Sequence, residues 1–129
     1  MTTHFAGHDE SDSLEVWDYA VVDNIMFAAT YASGIFKSVD NGITWSACNK
    51  GLRRENEYLT VTSISIIDHN TILCTTLGKG SFISKDRGVS WQNYSEGLTD
   101  TNFWSSYYDK GNKVVYIASP SGIYKRIIQ

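Results

Sequence analysis

Apolar and polar residues alternate along most of this chain in short runs of strand length. No run carries a 3.6-residue apolar spacing long enough for a stable amphipathic helix. The runs are rich in Val, Ile, Thr, Phe and Tyr, which suit a pleated, half-buried backbone, and Asp, Asn, Gly and Ser clusters bound them. They predict strands at 16–22, 26–31, 34–38 and 44–48, then at 59–67, 71–77, 81–84 and 89–94, and finally at 102–108, 113–118 and 123–128. Short polar turns, at Asp23–Asn24, Asp68–Asn70 and Asp109–Asn112, separate the first two strands of each group.

The groups are copies of one another. Residues 24–52 superpose without a gap on residues 70–98, with ten identities over 29 positions. The identities fall on turn and core residues: Thr30/Thr76, Gly34/Gly80, Phe36/Phe82, Ser38/Ser84, Asp40/Asp86, Gly42/Gly88, Trp45/Trp91 and Gly51/Gly97 among them. A third copy starts at Asn112, aligns Gly122 with Gly80 and Tyr124 with Phe82, and stops at Gln129 before a fourth strand. A four-stranded meander at a fixed long period is the signature of propeller blades, since the strands of a sandwich do not recur at such a spacing. The expected fold is therefore all-β: one domain of three tandem blades at about 14–52, 59–98 and 102–129, the third incomplete, with 1–13 as an N-terminal arm or closing strand.

The link between the third and fourth strands reads Ser38-Val39-Asp40-Asn41-Gly42-Ile43-Thr44-Trp45 and recurs as Ser84-Lys85-Asp86-Arg87-Gly88-Val89-Ser90-Trp91. This resembles the Asp box, S-x-D-x-G-x-[T/S]-W, or BNR repeat, of sialidases, xyloglucan-active glycosidases and sortilin-type receptors. Both copies match every defining position. The carboxylates of Asp40 and Asp86 can accept bonds from turn N–H groups, Gly42 and Gly88 can take a left-handed conformation, and Trp45 and Trp91 bring a large apolar face. An EF-hand-like calcium loop would need further oxygen ligands and a distal Glu, which are absent. Ser38, Asp40, Gly42, Thr44, Trp45, Ser84, Asp86, Gly88, Ser90 and Trp91 are thus expected to be structural.

Propellers close with typically about 4–8 blades. Three blades predict a homo-oligomer, most simply a dimer closing a six-bladed ring, because identical subunits favour closed symmetric assemblies. The segment Thr2–Ala6 is β-compatible and is expected to complete the third blade of a partner subunit.

Composition narrows the function classes. Hydrophobic residues at 42%, charged residues at 19% and a net charge of −3 describe an ordinary globular chain with no electrostatic footprint for nucleic acid. No apolar stretch is long enough for a membrane span, and no h-region marks a signal peptide, so a cytoplasmic location is expected as the sequence stands, with secretion open if the chain is trimmed. Cys48 and Cys74 occupy non-equivalent repeat positions and read as buried free thiols. His4 and His8 beside Asp9 and Glu10 carry donors for a chance metal site, but a solvated polar terminus explains them; no metal and no cofactor are expected.

In families that this chain resembles, ligands bind on the face away from the Asp boxes. Topology puts Tyr31–Gly34, Leu77–Gly80, Ser119–Gly122 and the connections 49–58 and 95–103 there. The candidate ligand-binding residues are Trp17, Arg53, Arg54, Glu55, Glu57, Tyr58, Asp100, Asn102 and Trp104, since aromatic faces beside polar side chains suit sugar rings. The bland alternatives are interblade core for Trp17 and Trp104 and a solvated loop for the charged connection. Three readings follow: a non-enzymatic module binding a carbohydrate or other small polar ligand, a protein–protein interaction module, and a glycoside hydrolase-like fragment. The last is weakest. The four arginines cannot form, within one subunit, the arginine triad that the resemblance to sialidases implies. Asp23, Asp68 and Asp109 recur as turn residues, and nothing marks Glu55, Glu57 or Asp100 as tuned for catalysis.

Overall fold

A computed structural model describes residues 4–5 and 15–128. Among these residues there are twelve strands and no helix. Blade one contains β2 (Val16–Val22), β3 (Ile25–Thr30), β4 (Gly34–Ser38) and β5 (Thr44–Ala47), with β1 (His4–Phe5) beside β5. Blade two is β6 (Thr60–Ile66), β7 (Ile72–Leu77), β8 (Ser81–Ser84) and β9 (Gln92–Asn93). Blade three is β10 (Ser105–Asp109), β11 (Val114–Ser119) and β12 (Gly122–Ile127), with no fourth strand among the described residues. The blades are antiparallel meanders, and only β1 runs parallel to its neighbour, pairing His4 with Thr44 and Phe5 with Trp45. In this structure those two residues extend blade one's sheet and do not supply blade three. Thr2, Ala6, His8, Asp9 and Glu10 lie outside the described residues.

Register follows the repeat. Thr30 faces Gly34 and Thr76 stands beside Gly80, and in both turns the threonine hydroxyl donates to the glycine carbonyl at 2.7 Å. Both first strands carry the same bulge, between Val16 and Asp18 and between Val61 and Ser63. Two expectations shift by more than a residue. Strand β9 is only Gln92–Asn93, because the Trp91 N–H leaves its own blade and donates to the Lys50 carbonyl at 2.8 Å. Strand β10 begins at Ser105, not 102, because Asn102 bridges to Leu77 and the Phe103 N–H donates to the Thr76 carbonyl at 2.9 Å.

The repeated Ser–Asp–Gly turns are nearly superposable. The Ser38 hydroxyl donates to Asp40 Oδ1 at 2.8 Å and accepts the Gly42 N–H at 2.8 Å; Ser84, Asp86 and Gly88 repeat both distances. The Thr44 and Ser90 hydroxyls donate to the second carboxylate oxygen at 2.5 Å, and their N–H groups donate to the first at 2.9 Å. These bonds, led by the hydroxyl of Thr44 or Ser90, hold both aspartates down at a pKa of about 2.

The apolar residues sort by blade face. Phe27, Ala29 and Ile35 of blade one join Ile64, Ile72, Cys74, Phe82 and Trp91 of blade two in one core. Ile67 and Leu73 of blade two join Phe103, Val115 and Ile117 in a second. Trp91 fastens the first contact by donating its indole N–H to the Cys48 carbonyl at 2.9 Å. Cys48 and Cys74 are free thiols buried in this core, and desolvation raises both, Cys48 to about 12.

Gly88 and Gly42 share φ values of 83° and 84°, but a β-carbon on Gly88 would sit 2.5 Å from Phe27 Cε1, whereas on Gly42 the nearest atoms are 3.6 Å away. Gly42→Ala should cost about 1 kcal/mol, the conformational penalty alone. Gly88→Ala should cost roughly 1–3 kcal/mol more through the clash with the neighbouring blade. Urea unfolding of the two variants checks this, and equal costs would contradict the packing.

Both aspartates stabilise the fold fully above the ordinary carboxylate value of 3.8, and that contribution disappears as pH falls through about 2. The double substitution Asp40→Asn, Asp86→Asn should therefore be less stable than wild type at neutral pH and lose less stability between these two pH values. Thermal melts across the acid range measure the difference.

Neither thiol should react with a disulfide reagent at pH 8 in the folded protein, since the thiolate is the nucleophile and burial suppresses it. Both should react promptly in denaturant, so rapid labelling of the native chain would place a cysteine outside the core.

Candidate functional site

The two ends of the blades differ in character. The Ser–Asp–Gly turns share their end with the polar turns after β2 and β6: Arg87 donates through Nε to the His69 carbonyl at 2.8 Å and lies 3.4 Å from Asp23 Oδ2. The opposite end gathers the turns between second and third strands with the long connections between blades. Gly34 N–H donates to the Leu59 carbonyl, Leu59 N–H to Ala32, and Gly78 and Gly80 N–H groups both to Thr101. This is the face on which the candidate residues were expected, and it carries them as three clusters.

The first cluster is the loop from Arg53 to Tyr58. Arg53 Nε donates to the Glu57 carbonyl, the Arg54 N–H donates to Glu57 Oε1 at 3.0 Å, and Lys79 Nζ sits 2.8 Å from that same oxygen. The Lys79 bond leads the effects that lower the Glu57 pKa. Asn56 adopts a left-handed φ of 64° and closes the turn. Tyr58 projects from this braced loop at 87% exposure, the highest among the exposed large apolar and aromatic side chains, while the next residue, Leu59, is buried. Arg54 and Glu55 of the same loop are also exposed.

The second cluster is aromatic. Trp17 and Tyr31 have ring centroids 5.9 Å apart at a tilted angle, each about half exposed. Ala32, next to Tyr31, donates its N–H to the Thr60 hydroxyl, which ties this cluster to the strand following Tyr58.

The third is built on Asp100. Its carboxylate accepts the Ser119 hydroxyl at 2.5 Å, Ser121 at 3.1 Å and Tyr124 at 3.3 Å, and the Ser119 bond is foremost in lowering its pKa. Asn102 pairs through its backbone with Leu77, and Trp104 stands 58% exposed with its N–H bonded to the Ala118 carbonyl. An open groove runs between Lys79, Asn93, Ser95 and Thr99 at this end of blade two.

These placements sort the candidates chemically. Asp100 and Glu57 sit in separate clusters, each held below the usual carboxylate range by local donors, so neither resembles a proton-donating acid with a raised pKa. Among the described residues, no three His, Cys, Asp or Glu side chains gather as a cation site. Sequence reasoning did not single out Lys79 or Tyr31. Lys79 lies 22 residues from Glu57, and its aligned counterpart Ser33 is neutral, so the repeat gave no signal for the pair.

No family model and no curated protein matches this chain. Solved structures do match. YCF48 bound to D1 peptide aligns at a TM-score of 0.73 and 17% identity, covering 95% of this chain and 39% of that one. An ancestral GH74 enzyme aligns at 0.65 and 24% identity over 85% of this chain and 17% of its own. PorZ, an essential bacterial surface component of the type-IX secretion system of Porphyromonas gingivalis, aligns at 0.65 and 22% identity over 84% and 17%. These structures are β-propellers, and the chain spans only part of each. At such identities the likeness shows the fold alone.

Proposed function

We propose that this chain is a non-enzymatic binding module of the Asp-box propeller type, and that its loop face takes a carbohydrate. The observation that carries the reading is Tyr58: an aromatic ring held 87% exposed on a loop that three contacts to Glu57 keep in place. A ring that merely filled space would turn inward, as Leu59 does. Bracing the loop in advance lowers the entropic cost of ordering it around a ligand. The apolar face of Tyr58 suits the C–H face of a sugar, and the exposed Arg54 and Glu55 of the same loop offer donors and acceptors for hydroxyls. The lowered pKa values of the Glu57 and Asp100 carboxylates favour binding over glycoside cleavage.

A second reading, capture of a peptide, draws support from the fold match to YCF48 bound to D1 peptide. One experiment separates the two. The chain is titrated against an oligosaccharide panel and a panel of unstructured peptides, with reducing-end release measured in parallel. The carbohydrate reading expects saccharide binding that Tyr58→Ala weakens at least about tenfold, as removal of an anchoring aromatic does, with no change in melting temperature and no reducing ends released. Peptide binding alone would favour the second reading, and sugar turnover would overturn the non-enzymatic one.

A further inference from the structure

Each blade presents one face to the blade before it and one to the blade after it, and strand alternation assigns residues to each. Val115 and Ile117 of blade three pack toward blade two, so Tyr116 and Ala118 between them point away. Their register partners Lys125 and Ile123, with Tyr107 opposite Tyr116, share that outward face. On blade one, Asp18 turns toward blade two, where its Oδ2 accepts the Ile64 N–H at 2.9 Å. Tyr19 and Val21, paired with Ala28 and Met26, therefore lie on the opposite face.

On blade one's outward face Ala28, Phe36 and Trp45 form a buried cluster of their own, but other core-type positions on both outward faces stand in water. Tyr19 occupies the register position of Ile64 in blade two, and Val21 that of Ile66. Ile64 is 7% exposed, but Tyr19 is 68% and Val21 56%. Ile123 occupies the position of Ile35 in blade one; Ile35 is 0% exposed and Ile123 73%. The side chains at Tyr19, Val21 and Ile123 are of the kind the interior contacts use, yet each is more than half exposed.

We propose that the two faces are complementary halves of the interblade contact already made twice within the chain, and that a second copy supplies the missing half of each. Blade one of each copy would meet blade three of the other around a two-fold axis. The inner strands would engage first, as they do inside the chain, where Asp18 bonds to Ile64 and Ser106 to Ser63 and Ser65.

Sedimentation of the intact chain at micromolar concentration tests this. The expected species has twice the 14.5 kDa chain mass. Val21→Glu and Ile123→Glu alter exposed residues on opposite faces, and circular dichroism checks that each variant stays folded. Each should raise the dissociation constant at least about tenfold. Mixing the two variants should restore association, because one contact then has both halves intact. A monomeric wild type would overturn the proposal, as would a dimer that survives either substitution or an assembly of any other size. Failure of this test leaves the Tyr58 reading untouched, since that rests on one loop of a single chain.

Discussion

A twisted sheet with apolar side chains on both faces has to cover both, and most of this structure follows from that requirement. Blade two shows the outcome where it is met. Its inner strand β6 is buried along nearly its whole length between β2 and β10. Its Trp91 closes the first contact with an indole bond to the Cys48 carbonyl, and Gly88 admits the edge of Phe27 where any larger residue would collide. Trp45 holds the equivalent position in blade one, yet its indole N–H bonds back to the Gly42 carbonyl within its own turn. The same side chain in the same turn makes different bonds according to what lies beside its blade.

The division of labour between the two ends of a blade has an electrostatic basis. At the turn end, the Ser–Asp–Gly loops consume their own carboxylates: every oxygen of Asp40 and Asp86 accepts from the loop that carries it. Such loops are self-sufficient, which allows them to recur with little change but leaves them few free groups for a ligand. The loop end is assembled from non-equivalent pieces. Glu57 meets Lys79, Asp100 meets three hydroxyls of blade three, and Trp17 meets Tyr31, and none of these contacts repeats in another blade.

That contrast explains what could be read from the sequence. Repetition amplifies a pattern, so strand order, register and both Ser–Asp–Gly turns were legible from residues 24–52 laid over 70–98. Boundaries moved furthest where tertiary bonds intervened, as when Trp91 left β9 to reach Lys50 and Phe103 bonded to Thr76 ahead of β10. The candidate face was legible in outline through topology. Its contacts were not, because Glu57 to Lys79 and Asp100 to Tyr124 join residues more than 20 positions apart that no periodicity relates.

The same reasoning separates exposed residues that are incidental from those that carry information. Val89 in the second Ser–Asp–Gly turn is 58% exposed although its blade is covered on both sides, so an exposed valine in that turn says nothing about a missing neighbour. Tyr19, Val21 and Ile123 differ, because each has a counterpart at the same register position that is buried or half-buried wherever a neighbouring blade is present. Burying one such side chain contributes on the order of 1.5–3 kcal/mol. Leaving several of them in water is a standing cost to the isolated chain. Tyr58 is exposed for another reason: it stands on a connecting loop, outside the blade faces, where covering a sheet gives no reason for an aromatic. The structure thus presents two kinds of exposed side chain, one on the outward faces of the terminal blades and one on a connecting loop.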